Sequence, residues 1–343
     1  MNSHSKSPVV LAGDIGGTKT NVGFFRAGDE RPEPVIVKTY SSVDAASFED
    51  VVARFLNDHP ASVASACFGI AGPVMNGVCH ATNLPWSVSE SDLKKHFGWQ
   101  NVRLINDLSA TALAVPLLRD EEFYPLNSVP SREGGTIGIV APGTGLGMAL
   151  LTFSQGRPHL ISSEGGHADF APRIDEEVDL WRYLHATFHH VSLERVVSGP
   201  GLLSIYSWLR DRNNSAEPLW LKRDMAAMEP AAAISEAALT ERDPLCSAAL
   251  DFFISILASV AGNLALTAMT TGGIYLGGGI PPKILPRLKQ GAFVQAFIAK
   301  GRFRELLEEI PVRVILNEGA ALLGAAWCAA EDMERCRACT DPV

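Results

Sequence analysis

The chain has 343 residues, more than one hydrophobic core ordinarily serves, so two domains are expected. Its hydrophobic (47%) and charged (20%) fractions describe a globular protein and exclude a disordered one. A net charge of −9, from 29 basic and 38 acidic residues, speaks against nucleic acid and acidic membrane surfaces as partners, although local backbone dipoles can still hold a small anion.

Residues 8–14 read as a strand and 20–25 as its hairpin partner, joined by Gly13-Asp14-Ile15-Gly16-Gly17-Thr18. Alternating apolar residues continue the sheet over 35–40. A helix follows over 48–57, with Phe48, Val51, Val52 and Phe55 on one face, then a strand over 62–70. Ser89 suits the N-cap of a short helix ending at Phe97. The strand 102–105 ends in Asn106-Asp107, and a helix runs to about Leu117. The pattern then recurs: strands 136–140 and 148–153 flank a second glycine turn, Gly143-Thr144-Gly145-Leu146-Gly147. Helices are expected over 176–188 and 201–209, with a loop over 212–230. A third strand, 273–276, ends in Gly277-Gly278-Gly279; a strand over 312–316 and a helix over 318–330 close the chain. Strand, glycine turn and strand thus occur twice, each followed by helices, which predicts two related α/β lobes with a cleft between them. Ligands in such folds gather at the carboxyl ends of strands.

The apolar stretch 252–269 approaches membrane-span length, but Ser255, Ser259, Gly262, Asn263 and Thr267 interrupt it, so a buried core helix is expected. Cys67, Cys79, Cys246 and Cys328 lie in apolar surroundings and read as reduced core thiols, consistent with a cytoplasmic protein. Cys336-Arg337-Ala338-Cys339 has no partner pair for zinc and reads as part of a frayed tail.

The chemistry concentrates at the turns. Neither matches the P-loop or the dinucleotide fingerprint, yet both leave backbone N–H groups open to an anion, and two of them suggest a nucleotide phosphate chain held from two sides. Asp14 either caps its turn or faces a cation, since a carboxylate beside phosphate needs Mg²⁺ to offset repulsion. Asn106-Asp107 reads as an N-cap, or as a general base at Asp107. Glu164-Gly165-Gly166-His167 sets two bare glycines between a carboxylate and an imidazole, so the backbone there needs room. With Glu194 and Asn106, that segment could take several hydroxyls of one polyol; a metal site and solvated turns are the alternatives.

These segments, with Thr82-Asn83-Leu84-Pro85-Trp86, Glu194-Arg195 and Ser198-Gly199-Pro200-Gly201, resemble the bacterial glucokinase family, ATP-dependent hexokinase-type sugar kinases of the actin-like ATPase fold. They stand in the family's order to about residue 328. The resemblance implies two ribonuclease-H-like lobes with mixed sheets and an interdomain cleft: a small domain of residues 1–109 with 317–343, and a large domain over 110–316. It implies Asp107 as the base at the C6 hydroxyl of glucose, with sugar contacts from Asn83, Asn106, Asp107, Glu164, His167 and Glu194. ATP phosphates would face Gly13, Asp14, Ile15, Gly16, Gly17 and Thr18 on one side and Gly143, Thr144 and Gly145 on the other, with Gly278 and Gly279 near the nucleoside. Asp14 would reach Mg²⁺ through water, and a homodimer is expected.

Two features depart from the pattern. Lys19 stands where the family commonly has Asn and is closer to the repressor/kinase group of sugar kinases. That group's cysteine-rich zinc motif is replaced here by Ala168-Asp169-Phe170-Ala171-Pro172, so no such zinc site is expected. Alternatives are a kinase for another hexose, a sugar-responsive regulator and a filament ATPase. The regulator lacks room for a DNA-binding module ahead of the first strand.

Overall fold

A computed structural model describes residues 9–28, 30–81 and 84–340, with side chains described as far as Cys336. The elements run β1 (Val9–Ile15), β2 (Lys19–Arg26), β3 (Glu33–Ser41), α1 (Phe48–Asp58), β4 (Ala66–Ile70), β5 (Val74–Met75), β6 (Val78–His80), β7 (Ser87–Ser89), α2 (Glu90–Phe97), β8 (Val102–Asn106) and α3 (Asp107–Ala114). They continue with β9 (Phe123–Pro125), β10 (Ile137–Pro142), β11 (Leu146–Ser154), β12 (Arg157–Ser163), α4 (Asp175–Phe188), α5 (Gly199–Arg212), α6 (Leu219–Ala227), α7 (Pro230–Leu239) and α8 (Pro244–Ala268). Last come β13 (Gly273–Leu276), α9 (Leu285–Leu288), α10 (Ala292–Ile298), α11 (Arg304–Glu308), β14 (Val312–Ile315) and α12 (Ala320–Thr340).

The chain divides into two compact units, one of the described residues up to Arg119 together with those from Asn317 onward, the other spanning Asp120–Leu316. The first break falls ten residues beyond the expected 109, because α3 packs along α12 and stays with the first unit. The first unit's main sheet has the order β3-β2-β1-β4-β8, antiparallel across β3-β2-β1 and parallel across β1-β4-β8. The second unit repeats this plan in β12-β11-β10-β13-β14, with β9 added antiparallel at the edge. The weak sequence repeat is therefore a duplicated topology, a three-stranded meander followed by two parallel strands, in an α/β fold.

Local chemistry explains the elements that position the site. Helix α1 buries Phe48, Val51, Val52 and Phe55, the face its spacing predicts, and Ser47 caps it by accepting from the Asp50 N–H at 3.2 Å. In the first unit Phe48, Phe55, Phe68 and Trp86 fill the core beside the sheet. Tyr206, Phe253, Phe293 and Phe297 anchor the core of the second. Each such ring contributes on the order of 2 kcal/mol by leaving water. Helix α8 is long and apolar enough to cross a membrane, yet 67% of its most apolar window is buried, against α5, α7 and α10 among others. Asp243 caps it and Pro244 begins it, as at an ordinary core helix.

Several expectations are corrected. The stretch 212–230 is not all loop: α6 forms within it because Leu221 is fully buried and α6 packs on α7. The closing helix does not end at 330 and the Cys336–Cys339 segment is not a frayed tail: α12 continues to Thr340, anchored by the buried Ala329, Ala330 and Met333. The small sheet β5-β6-β7 and the strands β9 and β12 add to the expected elements. Cys67, Cys79, Cys246 and Cys328 are free and buried, as read from their surroundings, and Cys336 is exposed. Cys339 lies beyond the described side chains.

Candidate active site

In the first unit the candidate residues gather at the carboxyl ends of three parallel strands. The register pairs Asp14 with Gly69, Gly69 with Ile105 and Ile70 with Asn106, which sets Asp14 and the start of α3 on the same edge of the sheet. Asn106 and Asp107 take different parts. Asn106 is the N-cap, its Oδ1 accepting from the N–H groups of Leu108 (3.0 Å) and Ser109 (3.3 Å), while its Nδ2 donates to the Gly72 carbonyl at 3.2 Å. Asp107 is the first helical residue, and its Oδ1 accepts from the Leu108 N–H at 2.8 Å. The glycine turn beside them is braced from behind. Gly16 N–H donates to the Lys19 carbonyl at 3.0 Å, and Ser42 Oγ donates to the Gly16 carbonyl at 2.8 Å. Thr18 and Lys19 are exposed, with Thr20 buried beneath them.

Electrostatics distinguish the two carboxyl groups. Asp14 is pushed up to about 6 by burial first and by the Asp107 charge second, against a hydrogen bond from Asn21. Asn21 faces Asp14 across the hairpin and is itself held by Thr39, whose Oγ1 donates to Asn21 Oδ1 at 2.7 Å. Burial also raises the Asp107 carboxyl, partly offset by the N–H groups of Leu108 and of Asp107 itself and by Asn106.

The Asp14 shift has a consequence for stability. A carboxyl raised from 3.8 to about 6 in the folded chain costs nothing while protonated in both states. The penalty appears as pH rises past the unfolded value and is complete above the folded one. Asp14→Asn is therefore expected to stabilise the metal-free protein by about 3 kcal/mol near neutrality and by little near pH ~4. Melting temperatures of both proteins across that range check this; a gap that does not change with pH contradicts it.

In the second unit the turn 143–145 leaves the carboxyl end of β10 beside the run Gly277-Gly278-Gly279, which leaves β13. Gly277 N–H donates to the Val140 carbonyl at 3.0 Å, and Ile280 N–H to the Pro142 carbonyl at 3.3 Å. Glu164 and His167 bracket a 3-10 turn that is stitched to the segment carrying Glu194: Leu193 N–H donates to the Ala168 carbonyl at 2.8 Å, and Phe170 N–H to the Val191 carbonyl at 2.9 Å. Glu164 and His167 are exposed, and Glu194 is half-buried. The room that Gly166 provides is for Leu146, whose carbonyl oxygen a Cβ at that position would overlap. Glu194 Oε2 accepts the Leu146 N–H at 3.0 Å.

The predicted residues thus form two groups. Gly13 to Thr18, Asn106 and Asp107 share one sheet edge in the first unit; Gly143, Thr144, Gly145, Gly278 and Gly279 lie together in the second, with Glu164, His167 and Glu194 built against the same turn. Asn83 lies outside the described residues. Sequence reading missed Asn21, Thr39 and Ser42. Pairing the hairpin about its turn would have put Asn21 opposite Asp14, but Ser42 reaches Gly16 from just beyond the end of β3 and leaves no local signal.

Gly143 separates ligand from fold. A Cβ there meets nothing within 4 Å and its φ is ordinary, so the fold does not require glycine. Gly143→Ala is expected to leave the melting temperature unchanged and to weaken several-fold the binding of the anion that the sequence predicts at this turn, because the methyl occupies the approach to the turn's N–H groups. Nucleotide-binding calorimetry beside a thermal melt would expose the opposite pattern, lost stability with normal affinity.

The duplicated topology, with glycine turns at the carboxyl ends of strands, is that of the actin-like ATPase fold. The glucokinase family profile matches residues 11–332. A glucokinase of Nostoc punctiforme is 39% identical over 94% of this chain and 99% of its own length. The crystal structure of a glucokinase from an Antarctic psychrotroph superposes with a TM-score of 0.84 at 33% identity, covering 94% of this chain and 99% of that one. A glucokinase of the ROK family from Streptomyces griseus, solved with glucose and AMPPNP, shares the fold at a TM-score of 0.63 and 19% identity, covering 94% and 99%. The chain belongs to the glucokinase family.

Proposed function

We propose that the chain transfers the γ-phosphoryl group of ATP to the C6 hydroxyl of D-glucose, giving glucose 6-phosphate and ADP. The observation that carries this is the setting of Asp107, in a chain matching the glucokinase family along nearly its whole length. Asp107 stands at the carboxyl end of a parallel strand, on the first turn of α3, with its carboxyl raised by burial. A carboxyl whose pKa is raised is a stronger base. Asp107 accepts the hydroxyl proton as the oxygen attacks phosphorus, and ADP departs as the bond to the β-phosphate oxygen breaks.

The other residues bind and orient. Glu164, Glu194, His167, Asn83 and the remaining amide N–H of Asn106 take sugar hydroxyls, as acceptors or donors by type. N–H groups of the turns at 13–18 and 143–145, other than those of Gly16 and Gly143 that donate within their own turns, meet phosphate oxygens, and Gly278 and Gly279 leave space beside the nucleoside. The Asp14 carboxyl, raised by burial and then by the Asp107 charge, suits a nearby cation. Asp14 would hold Mg²⁺ through water, and the ion supplies charge neutralisation on the phosphates. Family resemblance supports a cytoplasmic homodimer.

A coupled assay of ADP release across glucose, mannose and N-acetylglucosamine, with a no-sugar control, tests the reading. ADP release is expected with glucose and not without sugar. Equal release without sugar would make the chain an ATPase; preference for another hexose would overturn the choice of glucose.

A further inference from the structure

The second glycine turn is held by the residues read as sugar contacts. Leu146, which follows it directly, bonds that set through its N–H and packs against it through its carbonyl. Its N–H donates to Glu194 Oε2 at 3.0 Å, and its carbonyl lies where Gly166 leaves space between Glu164 and His167. Gly145 is bare for the same reason: a Cβ there would stand 2.5 Å from Glu194 Oε2. The turn closes on itself through Gly143 N–H to the Gly145 carbonyl at 2.8 Å, and is tied once more to the Glu194 segment by Gly199 N–H to the Gly143 carbonyl, also 2.8 Å. Ser198 braces that segment, its Oγ donating to the Glu194 carbonyl at 2.7 Å and accepting from the Gly201 N–H at 3.1 Å.

We infer that Glu194 is a positioning residue for the phosphate turn in addition to a sugar contact, so that one carboxylate joins the acceptor and donor halves of the reaction. The inference rests on the roles assigned under the proposed function. Oε2 is spent on the Leu146 N–H, which leaves Oε1 for a sugar hydroxyl. A sugar bound at Oε1 immobilises the carboxylate, and the immobilised carboxylate holds the turn in the form that meets phosphate. Ordering is then shared between the two ligands, and the coupling is reciprocal: glucose strengthens nucleotide binding by the same factor as nucleotide strengthens glucose binding. A carboxylate bound only to sugar would affect glucose affinity alone.

The test is ADP binding measured by calorimetry in the absence of sugar, where a purely sugar-binding side chain has no part. Glu194→Ala removes the acceptor from Leu146 and is expected to weaken ADP binding roughly fivefold or more, the size of a lost charge-assisted hydrogen bond shared over a loosened turn. Glu194→Gln keeps an acceptor of the same length and is expected to bind ADP within about twofold of the unmodified chain. The reverse reading uses Gly145→Ala, whose methyl displaces Oε2; glucose binding without nucleotide is expected to weaken several-fold. Thermal melts establish that each variant is folded. ADP affinity in folded Glu194→Ala equal to that of the unmodified chain overturns the link while leaving the phosphate-turn assignment standing. Failure of the unmodified chain to bind ADP overturns that assignment and the link with it.

Discussion

Asp107→Asn is expected to lower kcat by roughly 10²- to 10⁴-fold while leaving glucose affinity nearly unchanged, the signature of a lost general base. Asparagine keeps the shape, and its Oδ1 can still accept the Leu108 N–H that Asp107 accepts at 2.8 Å. What it cannot do is take the hydroxyl proton. The same substitution removes the charge that helps raise Asp14, so the variant is expected to melt no lower than the unmodified chain. Activity and stability then move apart, which a damaged fold cannot imitate. Single-turnover kinetics, glucose binding by tryptophan fluorescence and a thermal melt measure the three quantities. Turnover within a few-fold of normal removes Asp107 as the base.

Gly166→Ala carries the second large effect. Its Cβ would overlap the Leu146 carbonyl oxygen and come within 3.1 Å of the carbonyl carbon, so the obstacle is backbone and cannot swing aside. Overpacking of this kind costs about 1–3 kcal/mol. Displacing Leu146 shifts the turn at 143–145 and the Glu194 carboxylate together, and a misplacement on the order of 1 Å costs roughly 10²-fold in rate. A fall of about that size in kcat/KM is expected, with KM raised for both glucose and ATP. Gly165→Ala provides the comparison: its Cβ meets the Met148 Sδ and Ser163 Oγ side-chain atoms at 3.0 Å, which can give way, so its effect should be much smaller. Similar losses at the two positions would show that Leu146 is not the point of contact.

What could be read from the sequence was what neighbouring residues determine. The hairpins around Gly16 and Gly143, the apolar face of α1 and the caps at Ser89 and Asn106 follow from spacing and residue type within one or two turns of chain. Asn106-Asp107 shows the boundary well: the sequence offered cap or base for the pair, and the structure places Asn106 as the cap and Asp107 just inside the helix. Contacts between distant segments left no such trace. Ser42 on Gly16, Glu194 on Leu146 and Leu146 on Gly166 depend on how three or more segments meet. The two glycines between Glu164 and His167 announced that room was needed, but not for which atom. Helix α6 was hidden because Asn213, Asn214 and Pro218 mark a turn, while the burial of Leu221 that sustains the helix comes from α7.

The proposed reaction places the γ-phosphate of ATP on the C6 oxygen of glucose. The most direct measurement is phosphorus and carbon NMR of the product formed from ATP and ¹³C-labelled glucose. A single phosphomonoester coupled to C6, formed in equal amount with ADP, is the expected result. Phosphate on another carbon, or inorganic phosphate with the sugar unchanged, would contradict it.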